Sequence, residues 1–403
     1  MNEFLEQYEK ILDSDIQKIF ELDFQLKKKR DSQKIKTTLH KADLEDAKVI
    51  ASLFRETYRG TYPYKKMESE EIVHRMINNA NHDWLIFKAN SKETVGCFGA
   101  ELDFHNKKGT LYGFLIRRSY QNSIDSLKAF VGSLLYFWNN YKNKILVWSG
   151  EVRTNDSTAQ FATALCGLKP IAFFPNKDIF FNRVESDFMI VCYDRHVLNK
   201  FRSKKTPKII RQVLNSYSYT NERYKLGMPT IENPNFILDE IELNKIKNNI
   251  KVRIKQENFG YERIIFSNNN SDSYFKFYHN SFSKHFEKTV FKINKLEELQ
   301  AFLRKLKELI HKMEINYFQC FISAYDTNHQ KIFYDEGFRP RGYVPSWKYN
   351  KEQENFEDQV VFNWFKGNIV KNIKLIPESE KMLQDLKFFE EELPFENLKS
   401  IKL

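Results

Sequence analysis

The chain is poor in the residues that cross-link, interrupt or anchor a fold. Its four cysteines, Cys97, Cys166, Cys192 and Cys320, stand singly in apolar stretches, and no C-x-x-C pair occurs. That excludes a disulfide framework and a cysteine zinc site, and reads as small buried residues in a reducing compartment. The nine histidines show neither H-x-x-x-H nor H-E-x-x-H spacing, so no metal is expected. Glycine (13) and proline (10) are scarce in 403 residues, which argues against long disordered linkers. No apolar run approaches the ~20 residues of a membrane span. Met1-Asn2-Glu3 opens no basic, then apolar, secretory leader, and the expectation is a cytoplasmic protein without membrane partners.

What is present is apolar mass and positive charge. Hydrophobic residues make up 41% and aromatics 15%, enough for two cores. The net charge of +11 favours an anionic partner such as a phosphorylated co-substrate. The lysines are spread along the chain, as in a solvated basic surface. Nucleic acid is disfavoured: Phe201 is the only aromatic in the basic stretch Lys200 to Arg211, and no reader motif appears.

The chain also contains a faint copy of itself. Gly167-Leu168-Lys169-Pro170, then Pro175, recurs 170 residues later as Gly337-Phe338-Arg339-Pro340, then Pro345. A glutamine precedes each glycine by seven residues, Gln160 and Gln330. An acidic residue and an apolar run follow each block. The period is far longer than the ~20–50 residues of a solenoid, so a half of the molecule is duplicated.

Periodicity divides the chain into an N-terminal helical segment (1–33), a first α/β unit (34–197), a basic connector (198–235), a second and shorter unit (236–366) and an appended or loose tail, helical in part (367–403). The first unit reads β-α-α-β-β-β-α-β-α-β-β. Its strongest helix places Ile124, Leu127, Phe130, Val131, Leu134, Leu135 and Trp138 on one stripe. The second unit repeats this order without the paired helices after its first strand. The expected fold class is α/β with a mixed sheet, present twice.

This order, with Gln-(six residues)-Gly-apolar-basic-Pro before a final hairpin, resembles the GNAT N-acetyltransferase superfamily. Residues 35–195 carry the resemblance well and 250–365 partly. Thr57-Tyr58-Arg59-Gly60-Thr61-Tyr62-Pro63 is similar to a substrate-side loop of some members. The resemblance implies an acyl-CoA-dependent N-acyltransferase, with acetyl-CoA as co-substrate and a small-molecule or peptide amine as acceptor. Its site would lie in the first unit. The alternative is a catalytically inactive scaffold or binding protein. The oligomeric state is left open.

The same resemblance places the co-substrate at Leu115, Ile116, Arg118, Gln121, Asn122, Ser123 and Ile124, with Asn155 beside the pantetheine arm. The family's diphosphate cradle, Arg/Gln-x-x-Gly-x-Gly/Ala, here reads Gln121-Asn122-Ser123-Ile124 with no glycine. Glycine lets backbone N–H groups at a helix start close on phosphate, so this cradle departs from the pattern. In the second unit the junction Asn294-Lys295-Leu296-Glu297-Glu298 puts acids where an anion would sit, which implies a non-catalytic copy. Glu101 and Glu151, at strand ends, are the candidate general bases. Tyr58 and Tyr62 are the candidate amine-pocket residues, because aromatic faces attract cations.

Overall fold

Two copies of one strand order meet edge to edge and share a single sheet. The computed structural model describes residues 35–257, 261–370 and 373–387, together with 4, 6–8, 19–22, 24 and 26. The first unit contains β1 (Ile19–Glu21), β2 (Thr37–Lys41), α1 (Ala47–Tyr58), α2 (Glu70–Ile77), β3 (His82–Ala89), β4 (Glu93–Asp103) and β5 (Lys108–Ile116). It continues through α3 (Ser126–Asn140), β6 (Val147–Arg153), α4 (Ser157–Leu165), β7 (Lys169–Phe180) and β8 (Arg183–Tyr193). From β2 onward this is the order read from the sequence. Between the units run β9 (Lys208–Ile209), α5 (Leu214–Tyr224) and β10 (Thr230–Ile231).

The second unit has α6 (Glu240–Asn249), β11 (Ile250–Gln256), β12 (Tyr261–Asn268), β13 (Tyr274–Asn280), β14 (His285–Lys292) and α7 (Leu296–Lys312). Then come β15 (Tyr317–Ser323), α8 (Thr327–Asp335), β16 (Arg339–Asn350) and β17 (Asn355–Phe365), and finally α9 (Pro377–Asp385). Among the described residues no helix lies between β11 and β12, which pair antiparallel. The fifteen strands run β1-β2-β3-β4-β5-β6-β8-β7-β16-β17-β15-β14-β13-β12-β11, so the second half mirrors the first about the β7–β16 seam. That seam is narrow, with Gly342 opposite Ala172. A Cβ at 342 would collide with the Ala172 side chain, so the approach requires glycine. Around it Ile171, Phe174, Tyr317, Val344 and Phe356 form a core belonging to both units.

The repeated glycines end α4 and α8 in left-handed conformation, φ 82° and 94°. Leu168 N–H then returns to Thr163 and Phe338 N–H to Phe333, a Schellman-type stop. Apolar stripes are buried as their spacing requires. In α3 every residue from Leu127 to Trp138 is buried, because Phe4 covers its outer side, 4.9 Å from Trp138 between ring centroids.

Two expectations are corrected, and the connector gains structure. Residues 19–21, expected within a helix, pair with β2 as a strand; most of the 1–33 helix expectation lies outside the described residues. The basic connector is folded, and α5 buries Tyr217 and Tyr219. The tail is not loose as far as Leu386, since Met382, Leu383 and Leu386 enter the first unit's core. Basic or charged composition hid these contacts, because only one narrow face of each short helix is apolar.

The repeated glutamines explain where both segments dock. The Gln330 side-chain amide donates to the carbonyls of Lys208 and Ser323 (3.0 Å each) and accepts from Ile210 N–H (3.1 Å). The Gln160 amide donates to Lys374 (3.0 Å) and Arg153 (3.1 Å) and accepts from Ile376 N–H (3.4 Å). Lys208 N–H bonds Ala324 O, and Lys374 N–H bonds Thr154 O. The strap leaving the first unit therefore grips the second, and the strap leaving the second grips the first. Buried amides saturated in this way fix backbone that lies outside the main sheet.

Candidate active site

The site begins where two parallel strands part. β5 and β6 pair from Lys108 opposite Val147 to Leu111 opposite Gly150, and no further. Beyond that point the two strands diverge. On the β4 side, β5 carries an extra residue near Gly113 (φ 69°), a bulge that re-aims the strand. The open edge presents backbone donors and acceptors to the gap. The gap widens into a cavity of about 1210 Å³ bounded by both units.

Of the expected residues, Glu101, Glu151, Tyr58, Tyr62, Leu115, Ile116, Gln121 and Asn122 all line this cavity. Arg118, Ser123, Ile124 and Asn155 do not. The Asn155 amide turns instead to Glu185 (2.8 Å), and Asp156 caps α4. Tyr58 and Tyr62 pack with centroids 4.5 Å apart, and Phe180 lies 5.8 Å from Tyr58. Burial pushes the Tyr58 phenol up to about 12, so it stays neutral.

The cradle differs from the family pattern in a physical way. Asp125 caps α3, its carboxylate accepting from Leu127 N–H (3.1 Å) and Lys128 N–H (3.2 Å). Ser123 and Ile124 N–H both bond Tyr120 O. Those donors are committed within the chain, so Ser123 and Ile124 do not form a backbone nest for diphosphate. Arg117 is also committed, to Glu93 (2.7 Å) and Glu56 (3.3 Å). Arg118, Gln121 and Asn122 are exposed; Gln121 and Asn122 reach the cavity, and the Gln121 amide donates to Ile116 O (3.3 Å).

Deeper in, the site holds groups that the sequence reading missed. Lys177, 1% exposed, forms an ion pair with Glu151; Arg153, two residues further along β6, holds Glu185 through two 2.7 Å bonds. Glu151, Asp178 and Asp187 bring carboxylate oxygens within 4.8 Å of one another. A metal was not expected from the sequence, yet this grouping has a metal-like ligand set. Side chains already compensate it: Lys177 on Glu151, and His285 3.4 Å from Asp178. Burial raises the Glu151 carboxyl although Lys177 opposes the shift. Burial and the neighbouring Asp178 and Glu151 charges raise Asp187 further. His285, on β14 of the second unit, also lies 3.4 Å from Glu287. Burial alone would lower its pKa; the Glu287 and Asp178 carboxylates reverse this and raise it to about 10. The available signal was the register of the repeat, which sets Glu151 against Phe321 and Lys177 against Trp347.

The strand order, the parting of β5 from β6 and the Gly-Pro turn before a final hairpin together decide the architecture. The arrangement resembles the GNAT fold. No family model and no curated protein matches the chain. Among solved structures it is similar to a spermidine N-acetyltransferase from Vibrio cholerae, at 14% identity over 41% of this chain and 97% of that one, with a TM-score of 0.35. A ribosomal-protein-S18-alanine N-acetyltransferase from Escherichia coli matches at 13% identity over 39% and 93%, TM-score 0.32. A probable GNAT-family acetyltransferase from Chromobacterium violaceum matches at 9% over 41% and 93%, TM-score 0.32. Likenesses this distant decide nothing about the chain, and the neighbours' substrates stay with the neighbours.

Proposed function

We propose that the protein is an N-acyltransferase that moves an acetyl group from acetyl-CoA to an amine, with its site in the first unit. The observation that carries this reading is the parted β5–β6 edge opening onto a cavity lined by Leu115, Ile116, Glu101 and Glu151. A thioester arm lying along β5 would meet backbone N–H donors there, the arrangement that stabilises a developing oxyanion. The amine nitrogen attacks the thioester carbonyl carbon. Glu151 takes the ammonium proton, directly or through water, and Lys177 holds its carboxylate in place. The C–S bond then breaks, its electron pair leaves with the sulfur, and the coenzyme A thiolate takes up, through water, the proton that Glu151 received. Glu101 is the second candidate base on the same cavity. The packed rings of Tyr58 and Tyr62 form an apolar, π-rich wall for the amine. Side chains of Arg118, Gln121 and Asn122 serve the diphosphate in place of a glycine nest.

A second reading, an inactive scaffold, is favoured by Asp125, whose carboxylate sits at the start of α3 where diphosphate would bind. Isothermal titration with acetyl-CoA separates the two. Saturable binding, weakened by Gln121→Ala with Arg118→Ala, supports the transferase. Absence of heat at millimolar acetyl-CoA leaves the scaffold.

A further inference from the structure

Two lysines stand side by side between α1 and α2, and the fold treats them differently. Both belong to the tight turn Lys65–Glu68. That turn is pinned from several sides. The Asn280 amide of the second unit donates to Pro63 O (3.1 Å), the Tyr64 hydroxyl donates to Asp178 (3.3 Å), and the Met67 side chain is buried. Lys65 turns its ammonium to Glu68 (3.2 Å) and to the face of Phe282, 4.4 Å from the ring centroid. It does not line the cavity. Lys66 does line it and is partly buried. Among the described residues it makes no ion pair and no side-chain hydrogen bond. A fixed turn therefore holds one amine inside the space that the transferase reading gives to the acceptor.

The other amines nearby are placed otherwise. Lys288 lines the cavity but is exposed, and Lys177 is buried in its ion pair with Glu151. A lysine becomes a nucleophile towards a carbonyl when desolvation or a neighbouring cation favours the neutral amine. Lys66 meets both conditions: burial and the Lys288 charge lower its pKa, while Glu101 and Glu287 oppose the shift. Glu101 also marks where the chemistry would occur. It lies opposite Thr110 of β5, one residue before the β5–β6 pairing ends at Leu111. The amine is thus in the field of a candidate base that stands beside the parted strands.

Resting on the transferase reading, we propose that Lys66 is itself an acyl acceptor, so that the chain acetylates its own Lys66 from bound acetyl-CoA. The Lys66 Nζ attacks the thioester carbonyl carbon. The N–C bond forms, and the C–S bond breaks with its electron pair on sulfur. The ammonium loses one proton before attack, and the nitrogen of the adduct loses a second. Glu101 takes them in turn and passes one to the thiolate and one to water. The product is an amide, far less reactive than the thioester, so the modification accumulates and does not turn over.

The test uses full-length protein with saturating acetyl-CoA and no added amine, read by peptide mass spectrometry. The expected result is acetylation of Lys66 roughly tenfold or more faster than of Lys65 or Lys288, because only Lys66 is held in the cavity out of bulk solvent. The half-time should not depend on protein concentration. Lys66→Arg keeps the charge and should lose the adduct with no change in melting midpoint. Unfolding in urea should erase the preference for Lys66. Comparable rates at the three lysines, or a half-time that shortens as the protein is concentrated, overturns the proposal. Isothermal titration with acetyl-CoA separates the two readings. Heat of binding without a Lys66 adduct overturns self-acetylation alone; neither heat nor adduct overturns the transferase reading with it.

Discussion

The two units share a fold and differ in what fills the cleft. At equivalent positions the first unit has the ion pair Lys177–Glu151, and the second has Trp347 stacked on Phe321 at 5.4 Å. The β14–β15 pair also parts early, after Phe286 opposite Phe318. There, however, the Thr289 hydroxyl bridges to Gln319 O (2.9 Å), and Phe275, Phe291 and Phe333 close ranks nearby. The helix starts differ as well. Glu298, buried at the start of α7, accepts from Ser273 (2.5 Å), Asn268 (2.9 Å), Lys295 N–H (3.1 Å) and the Ser271 hydroxyl. Burial opposes its ionisation, but these donors hold its carboxyl below the usual range. In effect the second unit carries its own permanent anion. Asp125 is the weaker counterpart in the first, with two backbone donors. The duplication has thus kept a polar cleft in one unit and filled the equivalent cleft of the other with aromatic side chains.

The strongest way to break this comparison is at the paired positions. Glu151→Gln should lower acetyl-CoA-dependent thiol release by about 10²–10⁴-fold, the usual worth of a positioned base. Phe321→Leu should change it less than tenfold. Similar losses from both would mean that the cavity wall, not the carboxylate, matters. The straps come next. A chain ending at residue 372 loses burial of Met382, Leu383 and Leu386, about 1.5–3 kcal/mol each, and its denaturation midpoint should fall sharply. Gln160→Ala and Gln330→Ala should each cost about 1–3 kcal/mol through orphaned backbone groups; unequal costs would show that the two clamps are not equivalent.

A smaller effect concerns pH. His285 is raised to about 10 in the folded protein, against about 6.5 when unfolded. Its contribution is fully present below about pH 6.5 and is lost as pH rises towards 10. Urea unfolding of wild type should weaken across that window, and His285→Asn should flatten the dependence. An unchanged slope would mean that the imidazole is not charged between Asp178 and Glu287. The smallest effect is at the mouth: Asp125→Asn keeps a capping side chain but removes a negative charge, and should tighten acetyl-CoA severalfold by titration. Weaker binding would show that the carboxylate supports the site.

The sequence made the central architecture legible because apolar periodicity and the Gly-Pro turns are local signals. Strands β3, β4, β5 and β8, helix α3, and the absence of helices after β11 could all be read from spacing. Glu101, Glu151, Tyr58 and Tyr62 converge on one cavity because each sits at an element end next to the parted strands. Lys66, Lys177, His285 and Lys288 were not legible. Their roles depend on which residues the β7–β16 seam brings face to face, and a lone lysine or histidine carries no such information. Asn155 was misplaced for a related reason, since its partner Glu185 is supplied by a different strand. The straps escaped notice because Lys208-Ile209-Ile210 and Lys374-Leu375-Ile376 are too short to stand out as repeats.

The crossed straps give the molecule a property that its linear order conceals. Each half closes its structure with an arm borrowed from the other, so the chain is a handshake dimer written on a single strand. A protease nick between residues 225 and 239 would sever the covalent path yet leave two fragments clasped, each still held by Gln160 or Gln330. Neither fragment made alone would own the arm that completes it.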